Sequence, residues 1–245
     1  MHIVLYGATS AIAHEIAKSY AKEKCHSFTL VGRNEQRLQS CKLDLIALGA
    51  TTVTTVAMDV TNSDSIIKTT QNIIETSKSI DIAILAHGSL SHQDQASIDM
   101  HYLQSEFTIN AVSYILISQL IVNYFTLIGK GILIGISSVA GERGRKGNYA
   151  YGSAKSAVTT FLSGLRHKNT NKDIHIMTIK PGFVSTPMTA HLPQSFLFVQ
   201  PGFIAKEIRR GIDQGIENMY IPSYWRLIMM IVRSLPEIIF KKINI

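Results

Sequence analysis

The amino-acid sequence predicts an α/β fold in which a parallel sheet is covered by helices on both faces, and three observations carry this. Short β-branched or aliphatic runs alternate with longer amphipathic stretches along the chain. The short runs are apolar throughout instead of alternating with polar residues, as strands buried on both faces require. Helix-like stretches fill the gaps, so each strand returns parallel through a crossover that lays a helix on the sheet. Strands are expected at residues 3–5, 27–31, 52–57, 81–85, 131–136 and 174–179. The expectation is a doubly wound, Rossmann-type sheet in three α/β/α layers. With 245 residues, 46% of them hydrophobic, the chain builds one core over residues 1–245. No Ser/Gly-rich linker, low-complexity tract or internal repeat divides it.

The formal net charge of +7 suits any anionic partner, because long-range attraction depends on sign and not on chemical identity. Its Lys and Arg residues are scattered, and no basic run, zinc-knuckle spacing or aromatic RNA-binding motif accompanies them, so no nucleic-acid partner is expected. Cys25 and Cys41 stand apart without a CxxC pair, which fits a reducing cytoplasm and gives no reason to expect a metal. Residues 2–6 are too short for a signal-peptide core and run straight into a turn, so they read as the first strand. The apolar segment 227–232 is broken by Arg233 and Pro236, short of the roughly 20 apolar residues of a spanning helix.

After the first strand comes Gly7-Ala8-Thr9-Ser10-Ala11-Ile12-Ala13, followed by a helix pattern from near Ala11 with Ile12, Ile16 and Tyr20 on one face. Small residues in such a turn let the backbone approach a pyrophosphate, whose charge is stabilised by the free N–H groups of the helix N-terminus. Taken alone, the turn is equally compatible with a plain strand-to-helix connection. The second strand ends in Val31-Gly32-Arg33-Asn34, with no acid to hold the two hydroxyls of an NAD ribose. Arg33 instead offers a cationic fork for a 2′-phosphate, which favours NADP(H) over NAD(H); the other reading is a surface arginine. Asp59, before Val60, suits either a ligand contact or a cap for the following helix, a cap that Thr61 or Asn62 could share. The fourth strand leads into Leu85-Ala86-His87-Gly88. A lone His87 there reads as a hydrogen-bonded pocket wall and not a catalyst, since no second ligand lies at metal-binding spacing.

The chemistry-bearing motifs follow in the second half. Tyr151-Gly152-Ser153-Ala154-Lys155 precedes the helical apolar positions Val158, Phe161, Leu162 and Leu165. Residues at i and i+4 share a helix face, so phenol and ammonium can serve one site. A free tyrosine has a pKa of about 10, and neighbouring positive charge favours its phenolate. The strand at 132–136 ends in Ser137-Ser138-Val139, where Ser138 could polarise a carbonyl oxygen and Ser137 would face away. A serine hydrolase needs a GxSxG elbow, but Val139 occupies its final glycine position. Asn110 lies inside an amphipathic stretch where a helix disfavours it, reading otherwise as a helix-bend residue. Pro181-Gly182-Phe183-Val184-Ser185-Thr186 follows the sixth strand, and on its own Pro-Gly is a turn.

In this order, over roughly residues 3–187, these motifs resemble those of the classical short-chain dehydrogenases/reductases. The first turn is similar to the family's GxxxGxG but keeps only Gly7, with Ala11 and Ala13 in place of the later glycines. Residues 85–88 depart from the usual Asn-Asn-Ala-Gly. The resemblance implies that Gly7, Thr9, Ser10, Ala11 and Ile12 line the pyrophosphate site, with Arg33, Asp59 and Val60 at the adenosine end. It places Ala86 and Gly88 near the nicotinamide ribose, and Pro181, Gly182, Val184 and Thr186 on the carboxamide. It further implies that Ser138 holds the substrate oxygen, Tyr151 exchanges its proton, Lys155 holds the ribose and Asn110 binds a water linking Lys155 to solvent. The expected reaction is hydride delivery from NADPH to a carbonyl carbon while Tyr151 protonates the oxygen, or its reverse.

Pro181, Pro187, Pro193 and Pro201 break the region after the sixth strand, and an apolar substrate lid is expected at about 187–203 with Leu192, Phe196, Leu197, Phe198 and Val199. That composition suits a hydrophobic or lipid-linked substrate, or ordinary core packing. In the tail, about 223–245, Arg226, Arg233, Lys241 and Lys242 border aliphatic residues, a pattern suited to a membrane interface. This tail and the Ala-substituted turn show a short likeness to reductases of polyprenyl-phosphate-linked keto-pentoses; a buried helix or subunit contact is the other reading. The expected setting is cytoplasmic with membrane association, and the expected partners are a small carbonyl or alcohol and further copies in a dimer or tetramer. Two other classes are a catalytically silent nucleotide-binding regulator and a peripheral membrane scaffold, neither of which needs Asn110, Ser138, Tyr151 and Lys155 together.

Overall fold

The computed structural model describes residues 1–170, 172–193 and 195–243. Its first half follows the expected alternation: β1 (His2–Tyr6), α1 (Ala11–Ala21), β2 (Ser27–Gly32), α2 (Glu35–Leu48), β3 (Thr52–Ala57), α3 (Ser63–Thr76) and β4 (Ile82–Leu85). Asn34 starts α2 by accepting from the Arg37 N–H at 2.9 Å, and Asn62 starts α3 by accepting from the Ser65 N–H at 3.0 Å. The cap of α3 is therefore Asn62, not Asp59.

Next come α4 (Gln93–Ile98), α5 (Met100–Phe107), a π-helical turn (Thr108–Val112), α6 (Ser113–Ile128) and β5 (Lys130–Ile136). A 3₁₀ turn (Val139–Glu142), α7 (Tyr149–Lys168) and β6 (Asp173–Pro181) follow. The last part holds a second 3₁₀ turn (Pro187–Thr189), α8 (Pro201–Asp213), β7 (Asn218–Ile221), α9 (Trp225–Ser234) and α10 (Glu237–Phe240). The segment read as a lid thus runs into α8 at Pro201, and Gln194 within it lies outside the described residues. β7 has no counterpart among the expected strands. It pairs only with β6 at the sheet edge and buries only Met219 and Ile221 of its four residues, whereas the equally short β4 is apolar and buried throughout, so β7 offers no apolar run to read.

The strands form one seven-stranded parallel sheet in the order β3-β2-β1-β4-β5-β6-β7. Alternation along β1 divides the core: Ile3 and Leu5 face one layer with Ile16 of α1, Leu38 of α2 and Ile204 and Ile208 of α8. Val4 and Tyr6 face the other, with Ile66 of α3, Ile117, Ile121 and Phe125 of α6, and Val158 and Leu162 of α7. The chain order reverses between β1 and β4, and a doubly wound sheet opens its crevice at the carboxyl ends of the strands beside that reversal.

By length and composition the helical run Met100–Ile128 could cross a membrane. In the fold, Tyr114, Ile117, Ile121 and Phe125 from this run are core residues packed under the sheet. Among the described residues, ligand atoms of Glu23, Cys25 and His26 gather within 4.8 Å, but the Glu23 carboxylate is already engaged by His26 and Arg209.

Phe125 is fully buried and its ring fills the space above Gly131, where an added Cβ would lie 2.3 Å from it. Phe125→Ala should lower stability by about 3–5 kcal/mol through lost burial and a residual cavity. Urea unfolding measures this, and a loss under about 1 kcal/mol would mean that the layer collapses to fill the gap.

Candidate active site

At the end of β1 the backbone turns through Gly7 with φ of +80°, and a Cβ there would lie 2.4 Å from the backbone nitrogen of His87, at the end of β4. Only glycine satisfies both the left-handed backbone and the contact. Ser10, ahead of α1, makes no side-chain cap bond, so Ser10, Ala11 and Ile12 present the helix N-terminus to a cleft of about 530 Å³ along the strand ends. Gly7 and Thr9 line the same cleft, and Arg33 at the end of β2 and Arg37 in the first turn of α2 bring two guanidinium groups to one end of it. Val60 lines it as well. Asp59 does not: its carboxylate accepts from the Thr61 N–H at 2.9 Å and the Thr61 hydroxyl at 2.8 Å, and these bonds hold its pKa low.

At the other end, Ala86, Gly88, Asn110, Ser138, Tyr151, Lys155, Pro181, Gly182, Val184 and Thr186 line the cleft as one wall and floor. Ser138 follows β5 and accepts from the Ala140 N–H at 3.1 Å, which fixes its hydroxyl at the strand end. Ser137 points into α7 instead, donating to the Lys155 carbonyl at 3.0 Å and pairing with Thr159 at 2.8 Å. Tyr151 and Lys155 sit one turn apart at the start of α7, and the Ser138 hydroxyl is close enough to the Tyr151 phenol to lower its pKa.

Burial dominates the electrostatics of this pair. Lys155 is only 3% exposed; its Nζ donates to the Ile136 carbonyl at 3.1 Å and lies 4.4 Å above the Tyr114 ring and 5.7 Å from that of Tyr151. Burial without a carboxylate partner lowers its pKa from 10.5 to about 7. Burial also pushes the Tyr151 phenol up to about 12, with the Ser138 hydrogen bond acting the other way. Lys155 and Tyr151 by themselves therefore do not produce a phenolate; desolvation is the largest cause for both and keeps the phenol protonated.

Asn110 sits in the π-helical turn, which gives an otherwise disfavoured residue a wider backbone. Its Nδ2 donates to the Glu106 carbonyl and the Ser89 hydroxyl, each at 3.1 Å, while its Oδ1 accepts from the Ser89 N–H at 3.2 Å. Gly88 is required beside it, because a Cβ there would lie 2.8 Å from Asn110 Oδ1 and 3.7 Å from Lys155 Nζ.

Several cleft residues escaped the sequence reading. The buried Glu106 carboxylate accepts from the Ser89 and Ser91 hydroxyls at 2.8 and 2.7 Å, and its only signal was its place four residues before Asn110. Tyr114, four residues after Asn110, donates to the His87 carbonyl at 2.6 Å. The Ser113 hydroxyl donates to the Ile109 carbonyl at 2.7 Å, so it accepts from His87 Nε2–H at 2.8 Å and selects that tautomer. Burial, and then the charge on Lys155, lower the His87 pKa to about 3, so it is a neutral wall residue.

The family described as short chain dehydrogenase matches residues 1–195, and the chain belongs to that family. It is an NAD(P)-dependent oxidoreductase acting on CH–OH or carbonyl groups. An uncharacterized oxidoreductase of Mycobacterium tuberculosis is 28% identical over 98% of this chain and 96% of its own length. A dehydrogenase/reductase SDR family protein 7-like protein of Dictyostelium discoideum is 30% identical, covering 97% of this chain and 78% of its own. Among solved structures, a short-chain dehydrogenase from Sphingobium yanoikuyae in complex with NADPH superposes with a TM-score of 0.81 over 96% of each chain at 18% identity, a likeness of fold.

Because the Lys155 pKa falls from 10.5 to about 7 on folding, the unfolded chain holds a proton that the folded one releases between those values. Stability contributed by this group therefore rises with pH from about 7 towards 10 and is lost as pH falls. In Lys155→Met, urea unfolding at pH 7, 8 and 9 should lack this rising component; parallel curves for variant and wild type would show that Lys155 keeps its ordinary proton affinity.

Proposed function

We propose that this chain is an NADPH-dependent reductase that converts a carbonyl of a hydrophobic or lipid-linked small molecule into an alcohol. The observation that carries this reading is that Ser138, Tyr151 and Lys155 line one cleft with the Gly7 turn, the phenol being held protonated by burial beside a hydroxyl fixed by the Ala140 N–H. The cleft suits a dinucleotide phosphate, since Gly7 leaves no Cβ in the cradle, α1 presents an uncapped N-terminus, and Arg33 and Arg37 stand where a 2′-phosphate needs cations. The bound dinucleotide supplies the hydride.

The rest of the chemistry belongs to side chains. Ser138 and Tyr151 donate hydrogen bonds to the carbonyl oxygen, stabilising the negative charge that develops there. Tyr151 then gives up its proton to that oxygen, and an acid protonated throughout the neutral range is ready for this role. Lys155 holds the ribose hydroxyls, and Asn110, clamped by Ser89, positions the water through which Lys155 communicates with solvent. Beyond the catalytic end, Phe183 stacks on Phe198 at 5.1 Å and Met188 lines the cleft, an apolar approach suited to a hydrophobic substrate. The free thiols of Cys25 and Cys41 agree with a reducing, cytoplasmic setting.

A carbonyl-substrate panel with NADPH and NADH tests the reading. Tyr151→Phe should lower turnover by about 10²–10⁴-fold while NADPH still binds, and an active variant would remove the phenol from the mechanism. Arg33→Ala should weaken NADPH by about 10- to 100-fold, the worth of a charge-assisted hydrogen bond, and leave NADH nearly unchanged. Equal losses for both cofactors would refute the 2′-phosphate assignment.

A further inference from the structure

Helix α9 carries two apolar stripes. Trp225, Ile228, Met229 and Val232 face inward and pack with Val139, Phe183 and Leu197. Leu227, Met230 and Ile231, at i, i+3 and i+4, face outward and are 59%, 59% and 54% exposed. In α10, Ile238 is 77% exposed, and in the lid Phe196 is 93% exposed beside Leu197, whose carbonyl accepts from the Tyr224 hydroxyl at 3.3 Å. Exposed apolar residues gathered in this way mark a contact surface.

Charge selects what covers it. Arg226, Lys241 and Lys242 flank these residues and are exposed, as is Arg233, which pairs with Glu142 at 3.2 Å. Across the described residues 223–243 the only acidic side chain is Glu237, and its carboxylate is taken by Arg143 at 2.9 Å. A second copy docked by two-fold symmetry would set these cations against themselves. An anionic bilayer satisfies both features, with the apolar residues at the acyl boundary and the cations among the headgroups. We propose that α9, α10 and the lid tip form a docking face for anionic lipid bilayers that seats the mouth of the cleft at the membrane surface.

The face is fixed to the catalytic end of the cleft. Arg143 donates to the carbonyls of Val232 and Leu235, each at 2.6 Å, and lies 3.8 Å over the Phe240 ring, so one side chain holds the end of α9 and all of α10. Trp225 lies against Gly182 so closely that an added Cβ would be 1.8 Å from its indole nitrogen. Val139, next to Ser138, packs on the same indole-bearing cluster. A molecule held in the facing leaflet beneath α9 is thus next to the cleft wall. This deepens the proposed hydrophobic-substrate reading, yet vesicle binding is read without turnover.

The experiment is cosedimentation of the full chain with phosphatidylcholine vesicles, with and without phosphatidylglycerol, at low and high salt. Wild type should pellet with the anionic vesicles at low salt, and Leu227→Glu with Ile231→Glu should lower the bound fraction roughly tenfold or more. Arg226→Glu with Lys241→Glu should also weaken binding and flatten its salt dependence. Both variants should keep the wild-type unfolding midpoint and turnover of a water-soluble carbonyl. The proposal is overturned if wild type stays in the supernatant at low salt, or if both folded variants bind as wild type does. It is also overturned if sedimentation velocity shows self-association that Leu227→Glu with Ile231→Glu abolishes while vesicles bind nothing. Tyr151→Phe separates the two readings: its vesicle binding should be unchanged, so an active Tyr151→Phe would sink the proposed chemistry and leave the docking face standing.

Discussion

The ends of β1 and β4 meet at Gly7 and His87 with no room for a single methyl group, and the cleft is built outward from that contact. His87 cannot retreat, because its carbonyl accepts from Tyr114 and its ring is bonded to Ser113, which pin the end of β4 to α6. The next residue, Gly88, lets Asn110 and Lys155 come within reach of the same backbone. A close approach of two strand ends thereby sets the spacing of the helix N-terminus on one side and of α5, α6 and α7 on the other.

Burial has a second consequence at this place. His87, Tyr151 and Lys155 are all shifted towards their uncharged forms, with burial the largest cause for each and, for His87, the charge on Lys155 acting in the same direction. Such a site stores a proton on the phenol and leaves the lysine close to balance at neutral pH.

The C-terminal segment is attached to the same region through charged groups from the 3₁₀ turn after Ser138. Arg143 grips the tail backbone, while Glu142, almost fully buried, pairs with Lys180 at 2.6 Å and Arg233 at 3.2 Å. Lys180 immediately precedes the cleft residues Pro181 and Gly182. Removing one member of so enclosed a pair leaves an uncompensated charge, so the network constrains how the tail sits against β6. The outward stripe of α9 is left over after this packing is complete, since Trp225 and Met229 already satisfy the inward side.

What could be read from the sequence was whatever a local pattern encodes. Apolar runs located six of the seven strands, and spacing put Tyr151 and Lys155 on one helix face because i and i+4 coincide on any α-helix. Gly7, Arg33, Ser138 and Pro181 could be placed at strand ends on the same grounds, and all line the cleft. The edge strand β7 buries only two of its four residues and so gave no apolar run to read, and Asp59 had two local uses between which only its bonds to Thr61 decide. His87 read from the sequence as a hydrogen-bonded wall residue and is one, but Glu106 and Tyr114 gained their places from partners 15 to 27 residues away, a separation that no helical or strand period spans. The proton affinity of Tyr151 shows the division most clearly. Residue type and spacing determined that a phenol and an amine share a site, but the sign of the shift followed from how completely the fold removes both from water, and desolvation is a property of the packed structure alone.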